Sequence, residues 1–284
     1  MRLRLGLWEA EAPRGAIFLF AGRTEILEKY GHVAREMTEA GYTVLCIDWR
    51  GQGHSDRLMT DRRPGHVCQF SDYQRDVAVF LQAAAELALP KPHFLVAHSM
   101  GGCIGLRALI NDLPVERTVF SAPMWGIHVA PPLRPLATAY SWVVRNIDKA
   151  NSVMPGTRPA NYVTYTPLAD NMLTTDQDYH DFMIRQAEMA PDIAVGGPTV
   201  HWFYEAHLEM AALALAPRPD CPVRTFLGTQ EEIVEPQAVQ DMHNNWPTAQ
   251  LQPVEGAKHE LMMEAPHLRG QFMRGMFGFF EGGE

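Results

Sequence analysis

A serine with small neighbours stands at a predicted junction between a strand and a helix. Residues 94–102 read FLVAHSMGG. This is the A-x-S-x-G form of a nucleophile elbow, a strained turn that presents the hydroxyl and leaves no room for bulky side chains two positions away. The helix beginning at Met100 would point free N–H groups toward an oxyanion. We therefore predict that Ser99 is a nucleophile; the alternative is a serine that only caps the helix.

One histidine follows a late apolar strand in a short loop that contains glycine. Residues 254–260 read VEGAKHE, which lets the loop carry an imidazole over the carboxyl edge of the sheet. The partners of an elbow serine follow it in the order acid, then histidine. His259 is therefore the predicted base. His267, inside the last predicted helix, is the alternative.

The acid is expected at the end of a strand between the serine and the histidine. Residues 228–234 read GTQEEIV directly after an apolar run. Glu231 is the predicted acid and Glu232 is the alternative, and both could also be solvated loop residues. The loop after the strand ending at Ser121 offers no carboxylate, because residues 122–126 read APMWG.

Two backbone N–H groups are predicted to form the oxyanion hole. One is that of Met100, the residue after the nucleophile, and the other is that of Arg23, in the loop after the early strand. With these groups, Ser99 would form an acyl-enzyme, His259 would move the proton, and water would release the acid. Such chemistry requires no metal and no organic cofactor, and His66 with Cys68 is too sparse a pair to bind a metal.

Apolar runs alternate with helical patterns over most of the chain. This alternation predicts an α/β protein with a mostly parallel, doubly wound sheet. The predicted strands are 16–21, 42–49, 93–98, 117–121, 223–228 and 249–254, and the predicted helices are 28–40, 72–89, 100–113, 236–245 and 261–280.

The alternation stops between about residues 124 and 216. This stretch is rich in aromatic residues and methionine, and we interpret residues 126–216 as a helical cap inserted into a core formed by 1–125 and 217–284. Some of its apolar side chains could line an acyl pocket, although most are expected to pack the cap onto the core. The candidates are Tyr140, Trp142, Phe182, Met183, Met189, Trp202, Phe203, Tyr204 and Met210.

Composition excludes several classes of function. The 284 residues carry 24 Lys+Arg against 33 Asp+Glu, for a net charge of -9, which disfavours binding to nucleic acid. Glu9 and Glu11 interrupt any apolar leader, and no window approaches the roughly 18 apolar residues of a membrane span. The four scattered cysteines are expected to be free, buried thiols, and these features together predict a cytoplasmic protein.

Four segments together resemble the lysophospholipase and monoacylglycerol lipase branch of the α/β-hydrolases. They read FAGRTE from residue 20, DWRGQGHSD from 48, AHSMGG from 97 and GAKHE from 256. The resemblance implies an α/β-hydrolase fold with a helical cap inserted after the sixth strand, and a carboxylester hydrolase for monoacyl lipids. An exposed apolar edge of the cap could also allow transient contact with a membrane surface, although the net charge does not favour it. Two positions depart from the branch: Ala21 replaces its usual histidine, and Ala97 replaces the first glycine of the elbow.

The sequence leaves other functions open. A peptidase, a thioesterase or an acyltransferase could use the same three residues, and an inactive member of the fold could bind a small molecule without turnover. A dehalogenase is disfavoured because it needs a carboxylate where this chain has Ser99. The acyl length, the head group and the oligomeric state are not determined by the sequence.

Overall fold

A seven-stranded, mostly parallel sheet forms the centre of the molecule. The computed structural model describes residues 1–128, 143 and 150–283. Its strands lie in the order β1-β3-β2-β4-β5-β6-β7, with β1 antiparallel to β3 and all other neighbours parallel. They are β1 Arg4–Trp8, β2 Gly15–Phe20, β3 Tyr42–Asp48, β4 His93–His98, β5 Arg117–Ser121, β6 Val223–Gly228 and β7 Ala249–Val254.

Helices cover both faces of this sheet, which explains why its central strands are continuous apolar runs. Along β2, Phe18 and Phe20 pack into one core, and Ile17 and Leu19 pack into the other. The helices are α1 Gly31–Glu39, α2 Asp72–Glu86, α3 Met100–Ile110, α4 Gln177–Met189, α5 Val200–Leu215, α6 Pro236–His243 and α7 Pro266–Phe280. Side chains of α2, α3 and α5 join the core with Phe18, and side chains of α1 and α7 join the core with Ile17.

The first strand was not predicted. β1 is half-buried along its whole length at the edge of the sheet, so it lacks the continuous apolar run of a central strand. Its sequence, RLGLW, instead alternates polar or small residues with apolar ones, as expected for a strand with one covered face.

Five strands precede the segment predicted as a cap, so its expected position after a sixth strand was wrong. The apolar pattern identified four of these strands. The fifth is β1, which is the one described strand that precedes Gly15, so no sixth strand comes before the segment. The chain leaves the sheet after Ser121 and returns at Val223. Among the described residues between them are α4, α5 and the short 3-10 helices Tyr162–Thr164 and Leu168–Asp170.

The four cysteines are free, but they are not all buried. Cys46 and Cys103 are buried, whereas Cys221 is half-buried and Cys68 is exposed, because the last two lie outside the apolar runs. Within the described ranges, no helix is both long enough and apolar enough to cross a membrane.

Candidate active site

Ser99 lies at a sharp turn between β4 and α3. Its backbone has φ 50° and ψ −118°, a conformation that costs a residue with a side chain about 1–3 kcal/mol. Two backbone hydrogen bonds hold the turn: Ser99 N–H donates to Ser121 O at 3.1 Å, and Met124 N–H donates to Ser99 O at 2.9 Å. The Ser99 hydroxyl does not cap α3, so the capping alternative for this residue is wrong.

The small residues around the elbow are required by close packing. A Cβ atom at Gly101 would lie 2.2 Å from Phe20 O, so no side chain fits there without moving β2. Ala97, on the other side of the serine, is tolerated because Gly105 lies opposite: a Cβ at Gly105 would be 3.2 Å from the Ala97 methyl group. The alanine that replaces the usual glycine is thus accommodated by a glycine in α3.

Three side chains form a continuous hydrogen-bonded line that ends at the serine. His259 Nε2 lies 3.0 Å from Ser99 Oγ, and His259 Nδ1 lies 2.8 Å from Glu231 Oε2. All three residues are buried, with exposed fractions of 3–8%. The structure therefore brings together the predicted nucleophile, base and acid, while His267 remains exposed in α7.

Glu231 is held as a carboxylate by three groups. Burial favours its neutral form, but the neighbouring His259 and the backbone N–H groups of Ile233 and Val234 outweigh burial and lower its pKa. Its two oxygens have separate partners, since Oε1 accepts both backbone bonds and Oε2 faces His259. Glu232, the alternative acid, is exposed.

In the loop after β2, which lines the cavity with Ser99, the N–H groups on either side of Arg23 are bound by side chains. Gly22 N–H donates to the Glu25 carboxylate, and Thr24 N–H donates to Gln52 Oε1 at 2.8 Å. Arg23 N–H, between them, has no acceptor among the described residues. Gln52 fixes the loop further by donating to Gly22 O at 3.0 Å. Met100 N–H is likewise unpaired within the described part of the chain, as expected for the first residue of a helix.

Four charged side chains form a buried group next to the hydrogen-bonded line, which we call the charge cluster: Glu25, Lys29, His98 and Glu260. The Lys29 ammonium bonds both carboxylates, at 2.6 Å in the case of Glu260 Oε1. His98 Nε2 lies 3.4 Å from Glu260 Oε2, while its Nδ1 donates to Ser121 O at 3.0 Å. The cluster therefore joins the loop after β2, the elbow and the loop that carries His259.

Mutual attraction outweighs desolvation in the charge cluster. Burial alone would neutralise Lys29, His98 and Glu260. The opposite charges reverse this effect, so the pKa values of Lys29 and His98 are raised and that of Glu260 is lowered well below its usual range. Both ring nitrogens of His98 face acceptors, Ser121 O and Glu260 Oε2, which favours the protonated ring.

The same cluster has the spacing of a metal site, because one ligand atom from each of Glu25, His98 and Glu260 lies within 4.8 Å of the others. Lys29 bonds both carboxylates and so supplies a cation at this position. The donor set is therefore better explained as an ion-pair network, and the absence of a metal cofactor stays a prediction.

A cavity of about 250 Å³ opens at Ser99 and His259. One wall consists of the loop after β2 and the charge cluster. The opposite wall comes from the predicted cap and is largely apolar; it includes Val163, Tyr165, Met172, Leu173 and Met183.

Of the cap residues expected to line an acyl pocket, Met183 does so. Trp202, Phe203 and Met210 pack in the core that contains Phe18, and Met189 is 84% exposed. Phe182 packs against His32, and Tyr204 is half-buried. Tyr140 and Trp142 lie outside the described residues.

A short segment before α4 supports the loop that carries His259. His259 N–H donates to Met172 O at 3.4 Å, and Glu260 N–H donates to Leu173 O at 2.8 Å. Thr174 Oγ1 donates to Met263 O at 2.7 Å. The position of the imidazole thus depends on contacts from the segment between β5 and β6.

Sequence reasoning missed the residues that hold these groups in place. Gln52 and the charge cluster have no role in the sequence-based prediction, in which His98 fills the variable position before the serine of the A-x-S-x-G pattern. Two of the four segments that resemble the family contain a signal for the cluster. Glu25 lies in the same loop as Arg23, and Glu260 directly follows His259. Their shared partner Lys29 lies 231 residues before Glu260, so the pairing requires the fold.

Comparison with known proteins agrees with this geometry. A family model described as serine aminopeptidase, S33, matches residues 11–266. Lysophospholipase L2 of Escherichia coli K12 is 30% identical over 98% of this chain and 84% of its own length. A probable lysophospholipase L2 of Haemophilus influenzae is 27% identical over 94% of this chain and 84% of its own.

Solved structures share the fold at lower identity. A soluble variant of monoglyceride lipase from Saccharomyces cerevisiae, in complex with a substrate analog, has a TM-score of 0.73 at 18% identity and covers 97% of this chain and 90% of its own. A carboxyl esterase from Bacillus coagulans has a TM-score of 0.73 at 15% identity, over 99% and 94% of the two chains.

Proposed function

Since this chain belongs to the serine aminopeptidase S33 family of α/β-hydrolases, we propose that it is a serine carboxylester hydrolase that acts on monoacyl lipids. The observation that carries the proposal is the hydrogen-bonded line from Ser99 through His259 to Glu231, at the wall of a cavity. A nucleophile in hydrogen-bond contact with a base that a third group orients is the arrangement that acyl transfer through a covalent intermediate uses.

In the proposed cycle, Ser99 Oγ attacks the ester carbonyl carbon while His259 Nε2 takes the hydroxyl proton. The N–H groups of Arg23 and Met100 bind the oxyanion; their support is that neither bonds another described acceptor. Collapse of the tetrahedral intermediate breaks the bond to the alcohol oxygen, which receives the proton from His259. Water then repeats the sequence on the acyl-enzyme, and Glu231 stabilises the imidazolium in both halves.

The cavity supports a substrate with a single acyl chain. Ligand sites typically measure about 300–1,000 Å³, so a cavity of about 250 Å³ favours one chain over two. Its apolar wall suits a hydrocarbon, and the charge cluster lies at its polar wall. The lysophospholipase and monoglyceride lipase names of the similar proteins point to the same substrate class.

The cavity favours an ester hydrolase over an aminopeptidase, although the family model is described by the latter name. An aminopeptidase needs a carboxylate for the substrate ammonium group. The two carboxylates among the described cavity residues, Glu25 and Glu260, both bond Lys29. A thioesterase would use the same catalytic groups as the ester hydrolase.

The test is hydrolysis of p-nitrophenyl esters of increasing chain length, a monoacylglycerol and a lysophospholipid. Ser99→Ala is expected to lower kcat by about 10⁴- to 10⁶-fold, because it removes the nucleophile. Ser71→Ala, at an exposed serine, is the matched control and is expected to match the wild type.

If the wild type cleaves peptides or thioesters and leaves these esters intact, the proposal is wrong. A Ser99→Ala variant that keeps wild-type kcat would contradict it as well.

A further inference from the structure

The side chain of Arg23 is fixed on the wall of the cavity that contains Ser99. Its Nη1 donates to Gly196 O at 2.8 Å, and both residues line the cavity. The guanidinium also lies over the indole of Trp202, 5.4 Å from the ring centroid. These two contacts hold the planar head group from one edge and one face, so it is oriented before any ligand binds.

This guanidinium has no carboxylate partner among the described residues. Its Nε and Nη2 atoms make no hydrogen bond to any described residue. Neither is among the fully buried side-chain atoms that lack a partner, so both atoms are accessible to solvent. Burial lowers the pKa of Arg23 to about 10 and the tyrosines nearby oppose this only in part, so the group is still charged at neutral pH. A partly buried charge without a counter-ion is less stable than a paired one, and an anionic ligand would pair it.

The other charges near the cavity differ from Arg23 in this respect. Lys29 is neutralised by Glu25 and Glu260. Arg158, which is exposed, lies 4.6 Å from the ring centroid of Tyr165 and adds positive charge on the side of the cavity that Tyr165 lines. Arg23 is therefore a cation of the cavity lining that no described carboxylate pairs, although the whole chain carries a net charge of -9.

We propose that the Arg23 guanidinium binds the phosphate of a lysophospholipid head group, and that the chain prefers lysophospholipids to monoacylglycerols. This inference rests on the proposed ester hydrolase function. In a lysophospholipid the glycerol carbons separate the scissile ester from the phosphate. One residue would then contact both ends of that span, with its backbone N–H at the oxyanion and its planar side chain at the phosphate oxygens.

The test compares kcat/KM for lysophosphatidylcholine and a monoacylglycerol with the same acyl chain, both below their micelle concentrations. Arg23→Gln removes the charge and keeps the backbone N–H, so the ratio of the two kcat/KM values is expected to fall about 10- to 100-fold. Any general damage lowers both values and cancels in the ratio. Arg23→Lys is expected to give an intermediate ratio, and Arg35→Gln, at an exposed arginine of α1, the wild-type ratio.

A second measurement uses the wild type and Arg23→Gln with the monoacylglycerol as substrate. Glycerophosphocholine is expected to inhibit the wild type at least about 10-fold more strongly than the variant. An unchanged substrate ratio in Arg23→Gln overturns the inference while ester hydrolysis through Ser99 stands. Inhibition by inorganic phosphate without a change in the substrate ratio also overturns it. Loss of hydrolysis for every ester in the wild type would instead contradict the proposed function.

Discussion

Two buried histidines lie side by side next to the elbow, and each belongs to a different network. The ring centroids of His98 and His259 are 4.8 Å apart. His259 is the middle of a line that runs from a carboxylate to a hydroxyl at the cavity, whereas His98 belongs to the charge cluster, in which each charge faces an opposite one.

The difference lies in where each network ends. The hydrogen-bonded line ends at an oxygen that a substrate can reach, so a change in it should alter chemistry first. The charge cluster is balanced internally and joins three loops, so a change in it should alter folding first. The following experiments separate these two roles.

The largest expected effect is on turnover. Glu231→Gln is expected to lower kcat by about 10³- to 10⁴-fold, because the amide cannot stabilise the imidazolium or fix its tautomer. Stability is expected to change much less. The measurement is kcat on a p-nitrophenyl ester together with denaturant unfolding. Glu232→Gln, at the exposed neighbour, is the control, and a larger loss of kcat in that control would assign the acid to Glu232.

The next effect is on stability. Lys29→Met leaves two buried carboxylates without their shared cation, and breaking such a pair is expected to cost about 3–5 kcal/mol of the free energy of unfolding. Its loss of kcat, measured where the variant is folded, should be smaller than that of Glu231→Gln. Lys91→Met, at an exposed lysine, provides the matched baseline. A Lys29→Met variant as stable as that baseline would refute the structural role of the cluster.

The smallest effect is a dependence of stability on pH. Because the charge cluster raises the pKa of His98 above its ordinary value of 6.5, its contribution to stability is fully present below pH 6.5. That contribution is lost as the pH rises through the folded pKa. His98→Asn should therefore cost about 1.5–3 kcal/mol at low pH, and this cost should shrink at alkaline pH.

Unfolding free energies of wild type and His98→Asn between pH 6 and 9 measure this difference. A cost that stays constant, or that grows with pH, would mean that His98 is neutral in the folded protein and that the cluster is not balanced as described.

The strands that carry Ser99 and Glu231 were easier to predict from the sequence than the side chains that support the hydrogen-bonded line. Ser99 follows β4 and Glu231 follows β6, and both strands were predicted with their exact bounds because both are buried on two faces. β1 escaped prediction because an edge strand lacks that signal. The charge cluster escaped because Glu25 and Lys29 lie far in sequence from His98 and Glu260, and each, taken alone, resembles a solvated residue.

The insertion was predicted from the loss of alternation, but its extent as a separate unit, residues 126–216, stays a prediction, as does the cytoplasmic location. The aromatic and methionine content of this segment did not indicate which side chains face the cavity. That depends on helix orientation, which turned Trp202 and Phe203 into the core and exposed Met189.

The two carbonyl contacts from Met172 and Leu173 to the loop of His259 set a rule for engineering this enzyme. A chimera that takes its whole cap from a relative would replace those carbonyls together with the helices. The graft would then change the position of the His259 imidazole as well as the shape of the apolar wall of the cavity. A transplant that begins after Thr175 keeps the native support of the imidazole and exchanges α4 and α5 alone, so substrate range and catalytic rate can be altered separately.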